Sequence, residues 1–134
     1  MDERYARQVV IPEVGVEGQA KLRRSRVLVV GAGGLGSPIL LYLAAAGVGT
    51  LGIADNDRVT VSNLNRQILY TTQDLDRSKA LTAVQRVRAL NPDVKAIPYE
   101  ERVLRDNGYE LILHYDLVVE ASDNLETKAL MNEL

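Results

Sequence analysis

The chain has 134 residues, 46% of them hydrophobic, with no cysteine and a formal net charge of −2. That allows one domain with a buried core, leaves no electrostatic footprint for non-specific nucleic-acid binding, and excludes disulfides, thiolate zinc sites and thioester-forming nucleophiles from these residues. No apolar run reaches the roughly 20 residues of a membrane span, and Met1-Asp2-Glu3 does not open a signal peptide, so a cytoplasmic protein is expected.

Residues 1–24 read as a polar lead-in, helical from about Val16 to Arg24. The apolar run Arg26-Val27-Leu28-Val29-Val30 follows as a strand, then Gly31-Ala32-Gly33-Gly34-Leu35-Gly36 as a turn, then Ile39 to Ala46 as a helix. Glycines in that order let the backbone turn tightly and approach a phosphate, while free N–H groups of the helix's first turn face the anion. A second strand, Leu51 to Asp55, ends in a carboxylate at the spacing from the glycines where an acid meets ribose hydroxyls. Together the two features predict an adenine-nucleotide site.

An irregular segment runs through Thr72, and a helix then buries Ala80, Ala83, Val84, Val87 and Leu90 on one face until Asn91-Pro92 stops it. Val94 to Tyr99 reads as a third strand, Asn107 to Leu113 as a short helix, Asp116 to Ala121 as a fourth strand, and Leu125 to Leu134 as a helix. The alternation predicts an α/β class: a Rossmann-like, doubly wound, mainly parallel sheet. Such a sheet continues through about two more strands, so the expected organisation is a lead-in (1–24) and an incomplete nucleotide-binding half-domain (25–134).

Four further groups are candidates for chemistry. Ser62-Asn63-Leu64-Asn65-Arg66-Gln67 follows Asp55-Asn56-Asp57 at the carboxyl end of the sheet, where open α/β folds bind ligands. It reads either as a solvated connection with Ser62 as a helix cap or as a site segment in which the Arg66 guanidinium grips phosphate. Lys79 falls in the first turn of a helix capped by Ser78, where the helix dipole opposes a cation; it is either a solvated side chain or a phosphate ligand. Asp123-Asn124 follows the fourth strand and offers a magnesium carboxylate or a helix cap. Arg4-Tyr5-Ala6-Arg7-Gln8 reads locally as a charged surface helix. Arg23, Arg24 and Arg26 read as solvated, and His114 as structural.

In order and spacing, Arg4-Tyr5-x-Arg7-Gln8, the Gly31 to Gly36 turn, Asp55-x-Asp57, Ser62-Asn63-Leu64-x-Arg66-Gln67, Lys79 and Ala121-Ser122-Asp123-Asn124 resemble the ubiquitin-activating-enzyme superfamily. The closest resemblance is to its MoeB/ThiF/HesA adenylyltransferases. It implies an enzyme that uses MgATP to convert the C-terminal glycine carboxylate of a ubiquitin-like sulfur-carrier protein into an acyl adenylate, releasing pyrophosphate. By the same resemblance Gly31, Gly33, Gly34 and Gly36 face the nucleotide and Asp55, with Asp57 beside it, holds the ribose. Ser62, Asn63, Arg66, Lys79, Asp123 and Asn124 line the ATP site, with Arg66 and Lys79 on the phosphates and Asp123 on Mg2+. Arg7 would enter the partner subunit's site, which implies a homodimer. Many members carry zinc-binding CxxC pairs and a downstream cysteine in a second half, so zinc is implied only there. Glu120 departs from the shorter polar residue common in the family.

Two other readings use the same glycines. An NAD-dependent oxidoreductase would share the turn and Asp55 but has no use for Arg66, Lys79 and Asp123 converging on phosphates. A non-catalytic interaction module of this fold would keep the nucleotide site only as structure. The resemblance includes no nucleic-acid or membrane partner.

Overall fold

The computed structural model describes residues 3–122 and Asn132. After a short turn at Glu3–Tyr5 come α1 (Ala6–Val9), α2 (Gly15–Arg24), β1 (Arg26–Val30), α3 (Gly36–Ala46), β2 (Thr50–Ala54), α4 (Lys79–Leu90), β3 (Lys95–Tyr99), α5 (Arg105–Ile112) and β4 (Leu117–Glu120). The expected helix Leu125 to Leu134, and Asp123 and Asn124 before it, lie outside the described residues.

The four strands are all parallel, in the order β3-β2-β1-β4. Winding runs outward from β1 through β2 to β3, then returns through α5 to β4 on the other side of β1. The two central strands are apolar along their length because both faces are covered. Val27, Val29, Leu51 and Ile53 pack on one face with Leu40 and Ala44 of α3 and with Ala83, Val84 and Val87 of α4. Leu28, Val30 and Ala54 point the other way, against Leu111 and Ile112 of α5. Each buried side chain of this kind contributes roughly 1.5–3 kcal/mol, so neither face tolerates exposure. The result is the doubly wound, Rossmann-like α/β sheet expected of the sequence.

Element ends differ from the sequence expectation for local reasons. α3 starts at Gly36, ahead of the apolar stretch, because Pro38 in the first turn costs no intrahelical hydrogen bond. α5 starts two residues before Asn107, whose Oδ1 accepts the Leu104 N–H at 2.6 Å and so closes the helix start. Arg26 is half-buried rather than solvated: its Nε donates to the His114 carbonyl at 2.6 Å and its guanidinium stacks over Tyr115, 5.5 Å from the ring centroid. Arg23 and Arg24 are exposed as expected.

The N-terminal segment is also more than a charged surface helix. Arg4 Nη1 donates to the Leu90 carbonyl (3.0 Å), Asn91 Nδ2 donates to Tyr5 Oη (2.7 Å), and Gln8 Nε2 donates to the Ala46 carbonyl (3.0 Å). The Arg4 and Gln8 bonds satisfy carbonyls at the C-termini of α4 and α3 that have no intrahelical partner, and the Asn91 bond ties Tyr5 beside them.

The long connection from β2 to α4 is fastened by Asp74. This buried carboxylate accepts from the Thr71 N–H (2.8 Å), the Thr71 hydroxyl (3.1 Å) and Arg86 Nη2 (2.8 Å). Burial alone would raise its pKa, but the Thr71 bonds and the Arg86 and Arg77 charges outweigh it and hold Asp74 below the usual carboxylate range. A depressed folded-state pKa gives stability that is present above the unfolded value of about 3.9 and is lost as pH falls through the folded one. Asp74→Asn is therefore expected to cost clearly more stability at pH 7 than at pH 3 in urea melts. A difference that does not shrink on acidification would refute this role for the carboxylate.

Candidate functional site

The carboxyl ends of β1 and β2 carry the site, beside the point where the winding reverses between β1 and β4. The glycine turn leaves β1 here, and two of its glycines are required by the fold itself. Gly31 has φ +99, and a Cβ on it would sit 2.6 Å from the Ser122 nitrogen at the end of β4. At Gly36 a Cβ would collide with the Gly31 carbonyl oxygen. Gly34 is different: it is exposed, and its nearest neighbour to a Cβ would be Arg66 Cγ at 3.9 Å. No protein atom crowds that position, so its missing side chain leaves an open cradle for a ligand.

Between the glycines, Ala32 is clamped. Its N–H donates to Asp55 Oδ2 at 2.9 Å, and its carbonyl accepts from the buried Tyr70 hydroxyl at 2.5 Å. The other Asp55 oxygen, Oδ1, accepts the Asp57 N–H at 2.8 Å. Burial first, then the nearby Asp55 and Asp74 charges, pushes the Tyr70 phenol far above its ordinary pKa, so it remains a hydrogen-bond donor.

The Ser62 to Gln67 segment lies over the turn. A short 3-10 turn, Val61–Asn63, is closed by Thr60 rather than by Ser62: Asn63 Oδ1 accepts from the Thr60 N–H (3.2 Å) and hydroxyl (2.8 Å). Arg66 follows, exposed, with Nη1 donating to the Ser62 carbonyl (2.9 Å) and Asn65 Oδ1 (3.1 Å). Its Nε and Nη2 donate to no described residue, and its Cγ is the atom that lies over Gly34.

Lys79 reaches the same end of the sheet because its segment pairs with residues following β2. Arg58 and Ser78 form an antiparallel bridge, the Val59 N–H donates to the Arg77 carbonyl (2.9 Å), and the Lys79 N–H donates to the Asp57 carbonyl (3.0 Å). Ser78 caps α4 as expected, its Oγ accepting the Leu81 N–H at 3.3 Å. The Lys79 side chain is not the solvated one that local pattern allows. It is only 5% exposed and makes no hydrogen bond or ion pair with any described residue. Its aliphatic stem carries this burial, and Nζ is not among the described side-chain atoms that are both buried and without a partner.

The structure thus brings together Gly31, Gly33, Gly34, Gly36, Asp55, Asp57, Ser62, Asn63, Arg66 and Lys79. It does not bring in Arg7, which is exposed on the segment docked against the C-termini of α3 and α4, at the amino edge of the sheet. Five strand residues separate the two edges, about 17 Å. Asp123 and Asn124 lie outside the described residues, though Ser122 abuts Gly31. Glu120 caps the turn after β4, its Oε1 accepting the Ser122 N–H at 2.9 Å. His114 is exposed and enters the fold through its backbone carbonyl.

Sequence pattern alone missed Tyr70 and Ser37, and it named Gln67 only as part of the Ser62 to Gln67 segment. Gln67 Oε1 and Ser37 Oγ are buried side-chain atoms without a hydrogen-bond partner among the described residues. Among those residues no cluster of three carboxylate, histidine or cysteine groups could cage a metal.

A parallel sheet with a clamped glycine turn at its switch point, flanked by a free guanidinium edge and a buried lysine, defines a nucleotide-binding α/β domain. The ThiF family profile matches residues 5–134, and the chain belongs to that family. It is 54% identical over 98% of its length to a sulfur carrier protein adenylyltransferase of Thermus thermophilus, covering 48% of that protein. It is 49% identical over 98% of its length to the SAMP-activating enzyme E1 of Haloferax volcanii, covering 49%. A solved structure of the E. coli tRNA N6-threonylcarbamoyladenosine dehydratase TcdA in complex with ATP superposes with a TM-score of 0.89 at 28% identity, over 96% of this chain and 53% of that one. The chain spans about half the length of these relatives.

The two kinds of glycine separate experimentally. Gly36→Ala is expected to lower the unfolding midpoint sharply, because a helix must shift away from Gly31. Gly34→Ala should leave the midpoint within about 0.5 kcal/mol of the parent yet weaken nucleotide binding. Equal effects of the two substitutions on thermal unfolding would contradict this division.

Proposed function

We propose that the full-length protein is an ATP-dependent adenylyltransferase that activates the C-terminal carboxylate of a ubiquitin-like sulfur-carrier protein as an acyl adenylate. The observation that carries this is the gathering at one end of the sheet of three features: Lys79 at the start of α4, covered by the fold and without a partner among the described residues, the Arg66 guanidinium, and the open side of Gly34. The Thermus and Haloferax relatives supply the substrate class, and the ATP-bound TcdA structure supports ATP as the nucleotide. An NAD-dependent oxidoreductase would use the turn and Asp55 but would leave these cations without purpose.

The proposed reaction needs no protein nucleophile. A carboxylate oxygen of the carrier forms a bond to the α-phosphorus as the bond from that phosphorus to the bridging oxygen breaks, and pyrophosphate leaves with the electron pair. The residues align the reactants and neutralise charge. Asp55 and Asp57 hold the ribose, Ser62 and Asn63 shape the wall, and Arg66 and Lys79 stabilise the charge gathering on the departing phosphates. Asp123 and Asn124 complete the phosphate end, where Mg2+, held by Asp123, would supply further charge neutralisation. Arg7, at the opposite edge of its own sheet, serves the site of a second subunit in a homodimer. Zinc, where the full-length protein carries it, would sit only in the other half, and the cytoplasm is the proposed compartment.

Two measurements test this reading. In calorimetry MgATP is expected to bind more tightly than NAD, and Lys79→Met, which keeps the side-chain volume, should cost about 1.5–3 kcal/mol of ATP affinity, with a smaller loss for AMP. The same variant should be no less stable than the parent, since a cation in the first turn of α4 opposes the helix dipole. Tighter binding of NAD, or undiminished ATP binding by the variant, counts against the proposal. The full-length protein should also catalyse carrier-dependent ATP–pyrophosphate exchange, falling about 100-fold or more in Asp123→Ala. Absence of exchange with every ubiquitin-like carrier encoded alongside it would remove the adenylyltransferase assignment.

A further inference from the structure

We propose that Pro98 and Arg88 hold the β3 edge of the sheet shut, so that a second copy of the chain cannot extend the sheet there by strand addition. The inference is independent of the nucleotide reading. In the order β3-β2-β1-β4, β3 is an outermost strand, bonded on one side only, to β2. Such a strand offers its unused N–H and C=O groups to any extended segment that meets it. The same strand of an identical copy fits it by two-fold symmetry, antiparallel.

The register fixes which groups those are. The Lys95 N–H donates to the Gly49 carbonyl at 2.9 Å, and the Tyr99 carbonyl accepts the Asp55 N–H at 3.0 Å, so residues 95, 97 and 99 turn their backbone groups toward β2. Successive residues of a strand alternate in this direction, and Ala96 and Pro98 therefore turn theirs outward. Pro98 has no N–H to offer. The Ala96 carbonyl is already taken, accepting from Arg88 Nη2 in the last turn of α4 at 3.3 Å. Just before the strand, the Val94 N–H is spent on the Asn91 carbonyl at 3.2 Å.

Of the outward groups of β3, the Ala96 N–H and the Pro98 carbonyl are what is left, and Ala96 is only 2% exposed. An antiparallel ladder needs both the N–H and the C=O of each outward residue, so an incoming strand finds half of its partners gone. The place of the proline matters as much as its presence. At 97 or 99 it would delete a bond to β2, whereas at 98 it deletes only the bond a newcomer would make, which is the position that sheets allow to proline. The segment is one that needs such a guard: Val94, Ala96, Ile97 and Tyr99 suit a strand, and Lys95 is the one charge among them.

The test compares the full-length parent with Pro98→Val and with Pro98→Val/Arg88→Ala. Amide hydrogen exchange at low concentration reads position 98 first: the new N–H should exchange as fast as an unprotected amide, while those of Ile97 and Tyr99 stay protected. Protection of the new N–H under these conditions would mean that it bonds within its own subunit, and the proposal fails. Concentration is then raised in sedimentation velocity. The double variant should gain mass beyond the parent's own assembly, the single variant less, and exchange at position 98 should slow in step with the added mass. One unchanging mass for parent and both variants would overturn the proposal, as would association that leaves position 98 unprotected, because the contact then lies elsewhere. Ile97→Pro checks the register separately. It should lower the unfolding midpoint sharply, where Pro98→Val leaves it nearly unchanged, and equal shifts for the two would refute the assignment of the outward groups.

Discussion

The two hydrogen bonds on Ala32 are the constraint on which the site depends. A glycine-rich turn is entropically costly to order, and here one residue in it is held from both sides, by Asp55 through its N–H and by Tyr70 through its carbonyl. Asp55 stands at the end of β2, and Tyr70 lies on the connection between β2 and α4. The clamp therefore ties β1, β2 and that connection to one peptide unit. Tyr70 Oη also stands 3.5 Å from the Lys79 carbonyl, at the start of α4. The glycine turn and the start of α4 are thus both referenced to one buried phenol, and burial keeps that phenol protonated.

A second consequence lies at the other edge of the sheet. The last carbonyls of α3 and α4 need partners, and the N-terminal segment supplies them through Arg4 and Gln8, with Gln19 of α2 donating to the Ala46 carbonyl as well at 3.0 Å. Tyr5 bonds Asn91, whose amide also donates to the Ala44 carbonyl at 2.8 Å, and donates in turn to Asp93 at 3.2 Å. Docking of the segment is thus part of how the helices end. It holds Arg7 on a rigid base while leaving its side chain exposed. An arginine so placed is separated by the length of the strands from its own glycine turn.

How far the sequence could be read depended on the range of the interaction concerned. The strand, turn and helix around Gly31 to Gly36 were legible because each follows from local pattern, and so was Ser78 as the cap of α4. Lys79 was legible as an anomaly: a cation in the first turn of a helix. Its burial was not, because that follows from pairing between residues 57–59 and 76–79, which no periodicity records. Tyr70 passed for one dispersed tyrosine among six, since its partner is 38 positions away. Arg26 looked like a surface cation because its bond to the His114 carbonyl spans 88 positions. Gln67 stood inside a recognised segment, but that its acceptor is buried and idle is a property of the folded turn alone.

The idle groups are themselves informative when weighed against the rest of the molecule. Polar side chains elsewhere in the described structure are paired with care: Asp74 takes three hydrogen bonds, and Asn91 satisfies both a hydroxyl and a carbonyl. Ser37 Oγ and Gln67 Oε1 are the exceptions among the described residues, both buried and without a partner, one in the first turn of α3 and the other in a side chain that lies against Gly33. The unpaired buried atoms thus gather at the glycine turn, the one segment whose backbone is shaped by close approach and not by side-chain pairing, while the carboxylate and amide that fasten the connection and the helix ends are fully bonded.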